Sequence, residues 1–363
     1  MNSKIKYLLW LSGLLAACQP AEKNAVLELS QEAINKIDVH AHYRYGRDSL
    51  IQLFDQWKMR AVLVDVAHAD SVQREIGWQA YVDHQKSQPD HFFLCSAFEG
   101  SQIEDPQFAS KIIERFKREI AGGARMVKVW KNFGMVTQDS EGNFIQINDE
   151  RLQPIWDYLT EAGIPVMAHI AEPIQAWREL EEGNPHYNYY KNNPQYHAYQ
   201  HPEIPQWETI IEARDQWLAA NPDMVVLGAH MGSMSHNVDL VAERLDKYPN
   251  FYVETAARFG DITGQDSKKV RDFFIRYQDR VMYGTDLGTG QPAEELTSEE
   301  INQFYQRLDK TFDIHWKYFS GKDSLYFDDP MPSSPVPTVS LNLPDSVLKK
   351  FYHDNALRLL KAN

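Results

Sequence analysis

Cysteine is scarce in this chain, and its scarcity excludes one class of fold. Only two cysteines, Cys18 and Cys95, occur among the 363 residues. A small domain stapled by several disulfides is therefore excluded. Cys95 lies in an apolar run over residues 91–98, where we expect a buried and chemically inert thiol.

Positive charge is also in deficit. Lys and Arg together number 37 against 51 Asp and Glu, which gives a formal net charge of −14. A nucleic-acid-binding protein needs a basic face to replace phosphate counterions, and docking onto an anionic membrane by charge has the same need. We therefore expect neither kind of partner. With 43% hydrophobic and 24% charged residues, the composition is that of a folded globular protein rather than a disordered one.

The apolar run near the start of the chain is too short to span a bilayer. It covers residues 7–17, about half of the roughly 20 residues that a spanning helix needs. Lys4 and Lys6 precede it, a pattern typical of a secretory signal peptide. Its end, Leu15-Ala-Ala-Cys18, resembles the lipobox of bacterial lipoproteins. That resemblance implies cleavage before Cys18 and acylation of its thiol; an ordinary signal peptide with an incidental cysteine is the alternative.

These features predict how the start of the chain is organised. Residues 1–17 are expected to be a lipoprotein signal peptide, and residues 18–36 the lipidated cysteine and a tether. Acyl chains on Cys18 would anchor the protein stably. We therefore expect a location in the bacterial cell envelope, with membrane contact only through the lipid. Gln19, in place of Asp, favours the outer membrane or the periplasmic side.

After residue 36, short apolar runs alternate with amphipathic segments. The runs are rich in β-branched and aromatic residues, as buried parallel strands are; they cover residues 37–42, 61–66, 91–98, 124–130, 164–170, 224–230, 251–255 and 281–286. Helical spacing marks residues 49–57, 108–120, 152–162, 207–219, 238–245, 270–277 and 347–360. The alternation predicts an α/β fold, a (β/α)8 TIM barrel over residues 37–363. A doubly wound open sheet is the alternative, weakened because no Gly-x-Gly-x-x-Gly turn follows the first run.

Two connections are longer than loops usually are. Residues 171–206 follow the fifth predicted strand, and residues 287–340 follow the eighth. Both leave the carboxyl ends of strands, where the active sites of such barrels lie. The first is rich in tyrosine, including Tyr187, Tyr189 and Tyr190. It is either a lid whose rings stack on a substrate or a long loop that packs on itself.

Metal-ligand side chains occur at the ends of several predicted strands. In the first strand, His40 and His42 are two residues apart, so both imidazoles face the same side. Neutral imidazoles on a rigid element are good ligands for zinc and related ions. Similar residue types stand in or at the ends of strands 4, 5, 6 and 8, namely Lys128, His169, His230 and Asp286. Because these ends meet at one mouth of a barrel, the pattern predicts a metal site there.

The segments that carry these residues resemble the amidohydrolase superfamily. They are residues 38–42, 123–128, 167–169, 229–232 and 283–286, with the closing residues 343–344 and 355–360. The resemblance is to the amidohydrolase-related branch, which includes aminocarboxymuconate-semialdehyde decarboxylase and related lactonases and hydratases, and within it to a secreted subgroup. It runs from about residue 37 to the end of the chain.

The resemblance implies a metal cofactor and its ligands. One divalent ion, most often zinc, with manganese or another divalent ion as alternatives, would be held by His40, His42, His169 and Asp286. His230 would face the substrate carbonyl. A centre of two metals, bridged by a carboxylated Lys128 and with His230 on the second ion, is the alternative.

From these parts we expect a metal-dependent hydrolase that acts on a carboxylic-acid derivative, a lactone, ester or amide, through a metal-bound hydroxide. Asp286 would take the proton of the water and pass it to the leaving group, and His230 or the metal would stabilise the oxyanion. Non-oxidative decarboxylation on the same ligands is one alternative. A catalytically silent, surface-binding lipoprotein is the alternative from another class.

Several residues near the predicted mouth are candidates for binding a small-molecule substrate. Arg258 follows the seventh strand and could clamp a carboxylate in bidentate fashion, or it could pair with an acid of a loop. Arg44 is a similar candidate. His68 and Glu172 could contact the ligands or the substrate, and Trp130 could wall the pocket. Assembly into a homo-oligomer stays open.

Overall fold

The computed structural model describes residues 30–43, 48–66, 68–183, 186–288, 296–325 and 338–361. The predicted signal peptide, Cys18 and Arg44 lie outside the described residues. Parts of the second long connection, residues 289–295 and 326–337, lie outside them as well.

The strands form one parallel sheet. They are β1 (Lys36–His42), β2 (Met59–Val64), β3 (Phe92–Phe98), β4 (Ala124–Val129), β5 (Val166–Ala168), β6 (Val226–Gly228), β7 (Phe251–Glu254), β8 (Val281–Met282) and β9 (Leu287–Gly288). Their order in the sheet is β8-β7-β6-β5-β4-β3-β2-β1-β9. Each strand therefore pairs with its neighbour in sequence up to β8, as the alternating pattern predicts for a barrel.

Residues 281–288 close the sheet into a barrel. β8 pairs with β7, and five residues later β9 pairs with β1. Between them, the backbone N–H of Val39 donates to the carbonyl of Tyr283 (3.0 Å), and that of Asp286 donates to the carbonyl of His40 (2.7 Å). The eighth strand of the barrel is thus one segment, interrupted by a bend that carries Asp286. The predicted (β/α)8 barrel is confirmed, and the open-sheet alternative is wrong.

Helices surround this sheet. They are α1 (Asp48–Trp57), α2 (Ser71–Ser87), α3 (Phe108–Ala121), α4 (Asn132–Met135), α5 (Gln153–Glu161), α6 (Tyr187–Asn192), α7 (Trp207–Ala220), α8 (Ala229–Gly232), α9 (Val238–Lys247), α10 (Phe259–Thr263), α11 (Ser267–Arg276), α12 (Ser298–Ser320), α13 (Asp345–Lys349) and α14 (Asn355–Leu360). A π-helical turn, Lys350–Asp354, joins α13 to α14. The short pair β10 (Ser324–Leu325) and β11 (Thr338–Val339) is antiparallel. In α4 and α8 the inner residues depart from helical geometry, so both are single turns.

The second long connection is not all loop, which corrects the expectation for residues 287–340. Its largest element is α12, 23 residues long. A capping box between Thr297 and Glu300 starts this helix, because the hydroxyl and the carboxylate each satisfy a free backbone N–H. Phe304, Leu308 and Phe312 line its buried side. The helix therefore packs on the barrel as part of its outer layer.

Two hydrophobic layers hold the barrel. The inner layer fills the barrel with residues from most strands and closes one end with α14: Ile37, Val39, Val62, Val64, Cys95, Met126, Met167, Leu227, Met282, Ala356, Leu359 and Leu360. Cys95 is a buried free thiol whose pKa burial raises well above its ordinary value, as expected. The outer layer lies between the sheet and the helices.

The packed structure begins before residue 37. Lys36 is the first residue of β1, and its buried ammonium donates to the carbonyls of Gln31 (2.5 Å), Ile34 (3.0 Å) and Trp57 (3.0 Å). Residues 31–36, expected to belong to the tether, are thus tied to the barrel. Among the described residues, no helix is both long and apolar enough to cross a membrane.

One buried histidine should make the fold sensitive to acid. His315 on α12 hydrogen-bonds the hydroxyl of Tyr283 (3.0 Å), and burial lowers its pKa from 6.5 to about 3. Between these two pH values the unfolded chain binds a proton there and the folded chain does not, so stability falls as the pH falls. From pH 7 to pH 5 we expect the wild-type chain to lose about 2 kcal/mol more than His315→Gln. Urea unfolding of both chains at the two pH values measures this, and equal losses would contradict it.

Candidate metal centre and active site

A bulge in β1 aims the two histidines of this strand into the barrel. Ile37 and Val39 belong to the inner hydrophobic layer, so strict alternation would turn His40 and His42 outward. However, Asp38 pairs with Ala61 and Ala41 with Leu63, which gives β1 one extra residue. Such a bulge reverses the direction of the side chains that follow it. Both imidazoles therefore reach the mouth, as predicted, although by a route that the spacing alone does not show.

The ring of His42 is fixed by its neighbours in the sheet. Its Nδ1 lies 2.8 Å from the carbonyl oxygen of Val64, which can only accept, so Nδ1 carries the proton. On the other side β9 passes very close to it. A Cβ at Gly288 would lie 2.6 Å from the Cβ of His42, so only glycine admits this approach.

Asp286 is held where the barrel closes. Its backbone is in the left-handed region (φ 61°), which costs free energy for a residue with a Cβ. The bend is fixed by Asp38, whose carboxylate accepts from the hydroxyl (2.5 Å) and the N–H (3.0 Å) of Thr285. As a result, Oδ1 of Asp286 lies 3.2 Å from Nε2 of His40 and 3.1 Å from Nε2 of His42.

His230 lies in a strained turn after β6. Both His230 and Met231 have left-handed backbone angles (φ 58° and 57°). Arg214 supports the turn from outside by donating to the carbonyl of Gly232 (2.5 Å). The Nδ1 of His230 lies 2.8 Å from the carbonyl of Ala256, so this atom carries the proton. Its Nε2 then has only a lone pair, and it lies 4.0 Å from Oδ2 of Asp286.

Three imidazoles therefore turn Nε2 toward one carboxylate. His40 Nδ1 lies 2.9 Å from Glu254, so with His42 and His230 it completes a set whose Nδ1 atoms face acceptors. Burial, with Lys128 nearby, holds the pKa of His40 well below its ordinary value. Burial and Arg258 do the same to His230. Both rings are thus neutral, and lone pairs converge on a carboxylate; such a group of acceptors fits a bound cation.

The pKa of Asp286 depends on positive charge beside it. Burial alone would raise this pKa, but protons on His40, His42 and His230 outweigh burial and hold it well below its ordinary value. With the rings neutral, a bound cation would supply this positive charge in their place. Among the described residues, His40, His42 and Asp286 form one compact group of metal-ligand atoms. A second group, His40, His230 and Glu254, shares one member with the first.

His169 and Lys128 also line the cavity, but they belong to neither compact group. The Nε2 of His169 is buried and has no hydrogen-bond partner, and its ring centroid is 4.3 Å from that of His230. Burial holds the pKa of His169 well below its ordinary value. A neutral, unpaired imidazole beside the centre is a further ligand atom for a cation. Lys128 Nζ lies 2.7 Å from Nε2 of His40, and burial lowers the pKa of this lysine.

A cavity of about 200 Å³ opens beside these groups. It is lined by His42, Asp65, Val66, Ala97, Lys128, Trp130, Lys131, His169, Tyr189, His230 and Asp286. Trp130, which follows β4, is one of these lining residues. The carboxylate and the lone pairs thus face a space that can hold a small molecule.

The first insertion contributes to the wall and is fastened to the barrel. Tyr189 of α6 lines the cavity. Its hydroxyl lies 3.2 Å from the ammonium of Lys131, which forms a buried ion pair with Glu172. The hydroxyl of Tyr190 donates to the same carboxylate (3.2 Å). Glu172 is therefore bound to Lys131 and the insertion rather than to the histidines.

Arg258 and His68, the remaining candidates for substrate binding, have different surroundings. Arg258 is only 5% exposed. Its Nη1 donates to the carbonyl of Ala257 (2.7 Å), whereas its buried Nε has no hydrogen-bond partner. Among the described residues Arg258 makes no ion pair, so the alternative of a salt bridge to a described loop acid is not observed. His68 is half-buried, and its carbonyl accepts from Arg74 (3.3 Å). It does not line the cavity.

Three residues of the site were missed from the sequence. Glu254 and Asp38 orient the histidines and Asp286, and Lys131 ties the insertion to the cavity wall. Glu254 ends the apolar run Phe-Tyr-Val-Glu of β7. A charged residue at the carboxyl end of a buried strand is the signal that could have found it.

Solved structures share this fold at low sequence identity. A TIM-barrel protein from Bordetella bronchiseptica aligns with a TM-score of 0.50 at 13% identity, over 90% of this chain and 99% of that one. A 2,6-dihydroxybenzoate decarboxylase, solved with 2,6-dihydroxybenzoate, aligns with a TM-score of 0.51 at 14% identity, over 90% and 99%. An amidohydrolase II aligns with a TM-score of 0.50 at 15% identity, over 90% and 100%. These likenesses show the fold.

A comparison with curated protein sequences found no match. The profile of one family, described as amidohydrolase, matches residues 37–362. This stretch contains the whole described barrel after Lys36 and all the candidate ligands. The chain therefore belongs to the amidohydrolase family, as its histidine, lysine and aspartate segments predict.

Proposed function

We propose that this protein is a metal-dependent hydrolase that acts on a lactone, ester or amide. The observation that carries the proposal is the convergence of His40, His42 and His230, each through Nε2, on the carboxylate of Asp286. A group of acceptors at the mouth of a barrel supports a bound divalent cation. Zinc suits imidazole and carboxylate ligands, and manganese is the alternative.

Each residue of the centre has a role in this proposal. His40, His42, His169 and Asp286 would hold the ion, and a bound divalent ion lowers the pKa of water toward roughly 7 and polarises a carbonyl. The ionised Asp286 accepts the proton of the attacking water and returns it to the leaving group. Lys128 Nζ lies 2.7 Å from the same Nε2 of His40, so it would give up this contact when His40 binds the ion. We propose one ion per chain; a second ion on His230, bridged to the first by a carboxylated Lys128, is the alternative.

The role expected for His230 changes. Stabilising an oxyanion requires a proton on the ring atom that faces it. Here Nδ1 carries the only proton and donates to Ala256, and burial keeps the ring neutral. His230 can therefore only accept, as a ligand or a proton acceptor, and a bound cation would have to stabilise the oxyanion.

We further propose that Arg258 binds an anionic group of the substrate. It is a buried guanidinium with an unpaired Nε, and charge-assisted hydrogen bonds contribute about 1.5–3 kcal/mol. Arg258→Gln should raise KM by about 10–100-fold for a substrate that bears a carboxylate, with a smaller change for its neutral amide analogue. Steady-state kinetics on the two analogues measure this. Equal losses on both would show that Arg258 only supports the fold.

Decarboxylation is the second candidate. The same buried Arg258 could hold a carboxylate that leaves as carbon dioxide, and a decarboxylase of dihydroxybenzoate shares the fold. A screen of the metal-loaded protein against lactones, esters, amides and aromatic carboxylates separates the two. Release of a new acid supports hydrolysis, release of carbon dioxide supports decarboxylation, and tight binding with no turnover supports the silent lipoprotein.

We also propose that the protein is anchored in the bacterial envelope through Cys18. The support is the likeness of residues 15–18 to a lipobox. Radiolabelled palmitate should label the wild-type chain, and Cys18→Ser should lose both the label and the membrane fraction. An unlabelled wild-type chain would overturn this location.

A further inference from the structure

Glu254 lies beneath the candidate metal centre, at the end of β7. Its side chain has no exposed surface. Oε1 accepts from Nδ1 of His40 (2.9 Å) and from the N–H of His230 (2.8 Å), and Oε2 accepts from the N–H of Ala256. All three partners lie at the carboxyl ends of the strands. The carboxylate of Glu254 therefore orients groups at the mouth of the barrel and is not part of the hydrophobic core.

Two of these partners, His40 and His230, come from strands that do not pair with each other in the sheet. β1 pairs with β2 and β9, whereas β6 pairs with β5 and β7. No backbone ladder links His40 on β1 to His230 after β6 in this sheet. Glu254 bonds to both residues on the side away from Asp286, through the ring Nδ1 of His40 and the backbone N–H of His230.

The sequence makes room for this carboxylate. A Cβ at Gly284 would lie 2.6 Å from Oε2 of Glu254. Any other residue there would displace the side chain or bend the segment that carries Asp286. The glycine before Thr285 and Asp286 therefore preserves the place of Glu254.

We propose that Glu254 is a positioning residue for the metal centre, a single carboxylate that fixes the ring of His40 and the backbone of His230 together. By accepting from Nδ1 of His40 it keeps the lone pair of that ring on Nε2, the atom that faces Asp286 and Lys128 and would bind a metal. By accepting from the N–H of His230 it holds the left-handed turn that aims Nε2 of His230. The inference rests on the proposed metal centre.

The test compares Glu254→Gln with wild type and with a matched control. Glu119 on α3 is also buried and bonds Ser96 and Arg115, so Glu119→Gln removes a buried charge away from the centre. The probe is Co²⁺, titrated by calorimetry and by its visible absorption. Glu254→Gln should raise the dissociation constant about 10–100-fold with an unchanged number of ions per chain, and Glu119→Gln should bind as wild type does.

Three results would overturn the inference. If Glu254→Gln binds Co²⁺ as tightly as Glu119→Gln, the carboxylate does not position the ligands. If it loses one of two bound ions, Glu254 is itself a ligand. If the wild-type chain binds no divalent ion, both the proposed function and this inference fail. If wild type and Glu254→Gln both bind Co²⁺ normally, only this inference fails.

A variant and a measurement cover the case in which Glu254→Gln does not fold. Gly284→Ala keeps the carboxylate of Glu254 but displaces it by steric contact. Like Glu254→Gln, it should raise the dissociation constant for Co²⁺. In the metal-free wild-type chain, nitrogen NMR with ¹⁵N-labelled histidine reports which ring atom of His40 is protonated, with His40→Gln assigning the signal. A proton on Nδ1 is expected; a proton on Nε2 would overturn the inference.

Discussion

Asp286→Asn is expected to lower kcat/KM by at least about 1000-fold, since the change removes a metal ligand and a general base together. The amide has one oxygen that accepts and one nitrogen that donates. Its nitrogen would compete for the lone pairs of His40 and His42, which now face Oδ1 of Asp286 at 3.2 and 3.1 Å. Steady-state kinetics, with metal content measured on the same sample, test this result.

The control for this variant is Asp157→Asn. Asp157 is exposed on α5 and accepts from Gln153 (2.8 Å), so its loss should leave kcat/KM within about twofold of wild type. If Asp286→Asn keeps its metal and more than a tenth of its activity, Asp286 is not the base that the proposal requires. The near-isosteric change leaves the backbone contacts of Thr285 and Asp286 with β1 in place, so folding is expected to survive it.

Removing divalent metal with a chelator should abolish turnover, and adding Zn²⁺ or Mn²⁺ should restore it. The ion binds only the folded chain, because the ligands come from strands far apart in sequence. Metal at 100 times its dissociation constant should therefore stabilise the fold by about 2.7 kcal/mol. Thermal unfolding with and without Zn²⁺ measures the difference.

A pair of histidine variants controls this experiment. His42→Ala should lose the stabilisation by metal, because Nε2 of His42 faces Asp286. His91 also pairs with an aspartate, Asp55 (2.9 Å), but it precedes β3 at the opposite end of the barrel. His91→Ala should therefore keep the stabilisation. A shift of equal size in both variants would show that the ion binds elsewhere.

The barrel and its polar mouth could be predicted because both follow from simple periodicity. Buried parallel strands are continuous apolar runs, and these runs were found in order from residue 37 to residue 286. Residues such as His169 and Asp286 stand where such runs end, and the ends of parallel strands meet in space. The prediction that these side chains lie together needed only the strand order.

Other features depend on contacts that periodicity does not report. Glu254 orients His40 through a bond between residues 214 positions apart. The inward turn of His40 requires a bulge, and a bulge is visible only in the pairing with β2. The left-handed angle of Asp286 depends on the bonds of Thr285 to Asp38. The lone pair on His230, which changes its expected role, depends on the carbonyl of Ala256.

The outer layer was less predictable for a different reason. α2 was missed because it exposes Val72 and Ile76 (62% and 58%), so it has no continuous apolar stripe. α12 lies in a segment that was expected to be loop, although Thr297 and Glu300 carry the signal of a capping box. Whether the first insertion closes over a substrate stays a prediction. Its Tyr189 lines the cavity, and its Tyr190 is bonded to Glu172.

The most direct test of the metal centre is anomalous diffraction from crystals grown with Zn²⁺, with data on both sides of the zinc absorption edge. We expect one strong peak per chain, bordered by His40, His42 and Asp286. No peak at this position, with these side chains in the arrangement described and Zn²⁺ bound elsewhere or not at all, would contradict it.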